Sequence, residues 1–566
     1  MNTLRAGVLS VAVLASAAMM LAVGPAVVVG SARSDAAKPA PAAPAACAAT
    51  AATAGTRGSD KAASTDRAAS SSAAHGEMAG MAGMSAMDDI PADRSTQELR
   101  DQLARTPSGG TLTVQPGIYR GALVIDRPVT LVGVGHPVIQ GDGTGTVLTI
   151  RAAGTTVRDL MIEGSGPGPV DNPAGVSVEA DRVVVKGLHI RDTYTGIWVE
   201  GVADAQITDN DIEGRKRVAV SGANPAPTHD AAAGDMGDMA GMAMGSAHGK
   251  AKAGRGDGVS LFNAIRPVVS GNTIADVRDG VYLSYGSGTR IECNSVTGSR
   301  YAIHSMYGKS VTVAENRFAT NQSGPVMMYG GPVTLEGNVI REQQSAATGF
   351  GVLLLDVGGA RLLRNVLVSN RVGLQIEGSV GDSKPTAVEL NTIALNQIGV
   401  GLYPSADASL SQNSFVENTV QVLGLGPDGG GGDSDWSRAG VGNYWSNYRG
   451  FERSSGRAGE IGVGEIPHVE GAAAGRLLAG DPTLLALASS PAFTLLRAVE
   501  QRSVGQHPVV VDRFPIVDPR SPSLPSEPTR AALGTGLVGA ISLVICSLVL
   551  LRCTRRSPLP SGRKKP

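Results

Sequence analysis

Aromatic side chains make up only 4% of this 566-residue chain. A core built generally on bulky rings is not the overall plan. The net charge is −1, so there is no basic field to attract nucleic acid. Four cysteines occur, Cys47, Cys293, Cys546 and Cys553, which is too few and too scattered to imply a disulfide framework. Cys293 stands alone among the repeats described below, and no convincing lipobox precedes Cys47. Glycine, by contrast, is abundant at 75 residues, as a fold with many tight corners requires.

A block of about 22 residues recurs, and each copy carries Asn, any residue, then Ile, Val, Leu or Phe. Asn272, Asn294, Asn316 and Asn338 follow at 22-residue intervals, and Asn391 and Asn413 repeat the interval. Asn210 and Leu188 extend the phase upstream, and longer intervals reach Asn365. A fixed period of this length in segments rich in Val, Ile and Gly, without helical periodicity, predicts an all-β parallel solenoid. Segments such as Gly280–Leu283 and Gly373–Ile376 alternate, with one face inward. The repeated asparagines are expected to form a ladder that holds the turns. Between Asn210 and Asn272 the gap is 62 residues, one rung plus an insertion over 215–256.

The two ends read differently. Residues 1–32 carry a short basic start, an apolar run and Gly30-Ser31-Ala32, as a secretory signal peptide does. Residues 33–90 are dominated by Ala, Ser, Pro and Gly and form a disordered linker. The solenoid is expected over 91–430, a distinct C-terminal region over 431–520 and a linker over 521–530. Residues 531–551 are an uncharged, mostly apolar run long enough for a transmembrane helix. Arg552, Arg555, Arg556, Arg563, Lys564 and Lys565 follow it, which places the 552–566 tail in the cytoplasm and the solenoid outside, tethered to the membrane.

Of 12 methionines beyond the signal region, eight lie in two short tracts with little other apolar content. The first holds His75, Met78, Met81, Met84 and Met87; the second, inside the insertion, holds His229, Met236, Met239, Met242, Met244 and His248. Packing is a poor account of these residues, because Ala, Gly and Asp surround them. Thioether and imidazole at short spacing select Cu(I) over Zn or Mg. A third candidate lies on the solenoid. Tyr285, Tyr307 and Tyr329 share one phase, as do Met306 and Met328. Strand alternation turns Ile303, Ser305, Tyr307 and Met327 inward, and His304, Met306 and Met328 outward. One His and two Met on adjacent rungs make a soft-metal site or a docking patch.

Arg300-Tyr301-Ala302-Ile303-His304-Ser305-Met306-Tyr307, together with Asn443-Tyr444-Trp445-Ser446-Asn447-Tyr448, resembles the NosD family of nitrous oxide reductase maturation proteins. Gly110–Gly121 and Val129–Gly133 add to the resemblance, which spans about 95–520. It implies a right-handed parallel β-helix of the pectate-lyase-like type, outside the cytoplasm. It also implies a non-enzymatic role in copper-site assembly of nitrous oxide reductase, with an ABC-type ATPase and permease and a copper chaperone lipoprotein as partners. Where many members carry an acidic loop, this chain reads Ile461-Gly462-Val463-Gly464-Glu465-Ile466-Pro467-His468, without the first carboxylate. The main rival is a polysaccharide-processing enzyme, which needs convergent acids and bases. Asp276, Asp279, Glu292 and Glu315 fall at differing phases and offer no such set. A carbohydrate-binding adhesin would need outward aromatic stripes, whereas the Tyr ladder is expected to face inward.

Overall fold

The computed structural model describes residues 93–522 with interruptions, the longest at 216–253. Three parallel sheets of 14, 12 and 13 strands run side by side. The chain passes from one sheet to the next in each turn, and the stack is a right-handed β-solenoid with rungs of about 22 residues. Strands are short, many of three residues such as Val184–Lys186 and His189–Arg191, while those of the 12-stranded sheet reach six, as in Tyr301–Met306. Inside lies one continuous file of Val, Ile and Leu, including Val281, Leu283, Ile291, Val296 and Ile303. Each rung buries its apolar face only because its neighbours cover it, so stability accumulates along the stack.

The expected asparagine ladder is present and continuous. The Nδ2 of Asn210 donates to Oδ1 of Asn272, and the same bond links Asn294, Asn316, Asn338, Asn365, Asn391, Asn413 and Asn443 at 2.8–3.0 Å. Each Oδ1 also accepts the backbone N–H of the preceding asparagine, as from Asn294 to Asn316 at 2.8 Å. A second amide ladder runs through Asn321, Gln343, Asn370, Asn396 and Asn418. It escaped the sequence reading because a Gln interrupts the Asn pattern.

Both ends of the file are covered. Helix α1 (Thr96–Arg105) is capped by Ser95 and buries Leu99 and Leu103. At the other end Phe415 and Trp445 stack 4.2 Å apart, and Trp445 stacks on His468 at 4.5 Å. The asparagine ladder itself ends on Asp512, whose Oδ2 accepts from the Asn443 backbone N–H at 2.7 Å and from Trp445 Nε1 at 3.0 Å. Val510–Asp512 pairs antiparallel with His468–Glu470. The Ile461–His468 stretch thus belongs to the C-terminal cap. A second helix, α2 (Pro491–Arg502), presents Phe493 to Val372, Ile398 and Val420 on the outside of the solenoid.

Cys293, alone among the repeats, is disulfide-bonded, and one expectation is corrected. Tyr285, Tyr307 and Tyr329 face outward, at 56%, 39% and 36% exposure. Each adopts φ of 55–57°, so the strand's two-residue alternation stops before it and the side chain swings out of the core. Their rings still form a ladder, stacked at 4.8 and 5.5 Å.

Among the described residues no helix is long and apolar enough to cross a membrane. The expected signal peptide, the 531–551 span, and both methionine tracts, His75 to Met87 and His229 to His248, lie outside the described residues.

Candidate functional site

The 12-stranded sheet carries the His304 motif on its strand Tyr301–Met306, between Asp279–Ser284 and Ser323–Met328. Parallel register places Met306 beside Ser284 and Met328, and His304 beside Tyr282 and Val326. Ile303, Ser305 and Met327 point inward and are buried, as alternation requires. At the start of these strands Gly280 has no room for a side chain, because a Cβ would meet the Ala302 carbonyl oxygen at 2.4 Å.

His304 is on the outward face, yet it is 7% exposed. The reason is a polar and aromatic cluster packed over the strand. Its Nδ1 lies 3.1 Å from Asp279 Oδ2, and its ring sits 5.2 Å from each of Tyr282 and Tyr301. Arg300 clamps Asp279 with two bonds, Nε to Oδ1 at 2.9 Å and Nη2 to Oδ2 at 2.7 Å, and lies over the Tyr301 ring. One rung earlier Arg278 clamps Asp257 in the same way, with both bonds at 2.9 Å. The sequence reading found no convergence at Asp279; the signal was the repeated Asp-to-Arg interval of 21 residues.

Burial pushes both carboxyls toward neutrality, but the two differ in partners. At Asp279 the bonds from His304 and Arg300 outweigh burial and hold the carboxyl down to about 2. Asp257 has no histidine partner and feels the Asp279 charge, and burial pushes it up. A carboxylate at Asp279 accepts the Nδ1 proton of His304, an arrangement that in a neutral ring leaves the lone pair on Nε2. That Nε2 is buried and, among the described residues, has no hydrogen-bond partner. A buried ring nitrogen left unpaired is costly unless something binds there.

The sulfur atoms lie on the same face. Met306 is two residues along from His304, and the Tyr282 hydroxyl is 3.9 Å from its Sδ. Burial raises the Tyr282 pKa, so this hydroxyl keeps the proton it donates. Among the described residues no three His, Cys, Asp or Glu side chains converge as a metal-binding group. A metal at His304 would therefore depend on thioether sulfur, and the donor set of one imidazole with Met306 and Met328 suits a soft ion. Beside the cluster lies a cleft of about 860 Å³ lined by Arg255, Arg278, Arg300, Gln322 and Glu342. Arg255 donates to the backbone oxygen of Arg215, so the two flanks of the insertion meet at this cleft.

Comparisons with known proteins bear on this arrangement. Residues 240–450 match the family model described as periplasmic copper-binding protein (NosD). The chain is 32% identical over 442 residues to a probable ABC transporter binding protein NosD of Pseudomonas aeruginosa, covering 74% of this chain and 91% of that one. A protein of the same description from Stutzerimonas stutzeri is 31% identical over 416 residues, covering 71% and 85%. Solved structures are more distant. The catalytic domain of a GH87 α-1,3-glucanase with nigerose is 14% identical, with a TM-score of 0.42 over 64% of this chain and 71% of that chain. The A-module of the Azotobacter vinelandii mannuronan C-5 epimerase AlgE6 is 15% identical, with a TM-score of 0.41 over 60% and 92%. Likeness at that level says nothing of activity. The extent and identity of the two curated matches, together with the family model, establish that the chain belongs to the NosD family of periplasmic copper-binding proteins.

Proposed function

We propose that the chain is a non-enzymatic extracytoplasmic accessory that takes up copper as Cu(I) at His304, Met306 and Met328 and passes it on during copper-site assembly of nitrous oxide reductase. The observation that carries this reading is the buried, unpartnered Nε2 of His304, with Asp279 engaging the opposite nitrogen. Two neutral thioethers and one imidazole would hold Cu(I) without the anionic ligands that make release slow, which suits cargo more than a resident cofactor. Met306 exchanges the Tyr282 hydroxyl for the ion, so loading breaks one weak contact.

In this reading the tracts at His75–Met87 and His229–His248 add local copper capacity. The 531–551 span anchors the solenoid at the membrane and raises its effective concentration near an ABC-type ATPase and permease, with the copper chaperone lipoprotein as donor and the reductase as acceptor. Polysaccharide chemistry is the weaker reading, because Asp257 and Asp279 are each locked by a guanidinium and neither is placed to transfer a proton.

The test is a Cu(I) chelator competition on the full chain, with and without His304→Ala and Met306→Ala, beside the copper content and nitrous oxide turnover of the reductase from matching strains. Loss of bound copper and a copper-poor reductase are expected. Unchanged binding and a normal reductase would reduce the site to packing.

A further inference from the structure

On a different sheet, three rungs before His304, two histidines come together. His189 lies on the strand His189–Arg191 of the 14-stranded sheet, and its ring is 5.0 Å from that of His136. Between them in the stack is Met161, which is the register partner of His189 on the adjacent strand and whose backbone N–H donates to the Pro137 carbonyl at 3.0 Å. Asp211, on the next rung, lies 3.4 Å from His189 Nδ1. Outside the two tracts and the signal region the chain has four methionines, Met161, Met306, Met327 and Met328, and Met161 is the one whose strand lies between the strand that follows His136 and the strand of His189.

We infer that His136, His189 and Met161 form a second soft-metal site, for Cu(I), separate from the one at His304. With metal–nitrogen bonds of about 2.0–2.1 Å, two imidazoles whose centroids are 5.0 Å apart subtend an angle of roughly 100° at a shared ion. That angle lies within the range of three- and four-coordinate soft ions. The rings now meet edge to face at 78°; His136 is exposed, so its ring can rotate to aim a nitrogen at the same point. The thioether supplies the third donor and tilts the set toward Cu(I) over Zn. Asp211 orients His189 as Asp279 orients His304, a carboxylate behind an imidazole in both places. The two centres lie about 15 Å apart along the axis, at three rungs of about 4.8 Å.

Diethyl pyrocarbonate labelling of the full chain, read by mass spectrometry at each histidine with and without bicinchoninate-buffered Cu(I), tests this. Copper is expected to protect His136 and His189 together, by several-fold, and His189→Ala is expected to remove the protection of His136. Met161→Leu, which keeps the packing, should weaken both. Equal labelling of His136 with and without copper would overturn the site. The result at His304 is read in the same digest from a different peptide, so failure of one centre does not mask the other.

Discussion

Two polar arrays are buried in this solenoid, both repeated with the rungs, and they differ in one respect. The asparagine ladder satisfies its members: Asn316, for example, donates to the Ile291 carbonyl and to Asn338 while accepting twice from Asn294. The charged array of Asp257, Arg278, Asp279, Arg300 and His304 is tied together almost as thoroughly, yet His304 Nε2 remains unpaired. A buried network that closes on itself rigidifies a fold, whereas the charged array keeps one ring nitrogen free for the ligand proposed above.

Breaking the ladder should have the largest effect. Asn316→Ala strips partners from Asn294 and the Ile291 carbonyl, at about 1–3 kcal/mol for each buried group left unpaired. The urea midpoint should fall sharply, with a loss of about 4 kcal/mol. A midpoint close to wild type would show that water replaces the ladder.

Asp279→Asn should cost less, about 3 kcal/mol, because it leaves Arg300 and His304 facing a neutral amide in a buried site. It should also change the acid response. The folded carboxyl is held at about 2 against an ordinary 3.8, so its stabilisation is present above pH 3.8 and is lost as pH falls through about 2. Urea titrations across this window should show that loss in the wild type and not in the variant, and Cu(I) affinity should drop even where the variant stays folded.

At the end of the ladder the sign reverses. Burial raises the Asp512 pKa despite bonds from Trp445 and Asn443, so its contribution is present at low pH and is lost as pH rises through the raised value. Asp512→Asn keeps an acceptor for the Asn443 N–H but turns an amide NH2 toward the Phe514 N–H, so it should flatten this pH dependence and lower the midpoint by less than Asn316→Ala does. A midpoint that falls as far as for Asn316→Ala would mean the charge itself holds the cap. The smallest change is expected from Tyr307→Ala, which removes the middle ring of an exposed stack and should cost about 1 kcal/mol in thermal unfolding.

Much of the architecture was legible in the chain. The phase of Asn272, Asn294, Asn316 and Asn338 located the rungs, and alternation correctly sent Ile303, Ser305 and Met327 inward. It misplaced Tyr307, since alternation ends where the backbone enters the left-handed region at φ 57°. His304 and Met306 were singled out by residue type, but Asp279 was passed over because it shares no phase with Asp276, Glu292 and Glu315, whereas its partners are an arginine and a histidine 21 and 25 residues on. His189 was placed by its rung phase, but its contact with His136 had no sequence signal because their separation follows no rung period.

The sequence by itself determined the solenoid, its rung length and its inward faces, because each rung must satisfy its backbone and apolar side chains against a copy of itself. Only the tertiary structure decided which outward residues are covered, as His304 is, and which are not, as the Tyr ladder is. It alone brought Asp512 across 69 residues to close on Asn443, since contacts between different kinds of segment leave no period for a sequence to display.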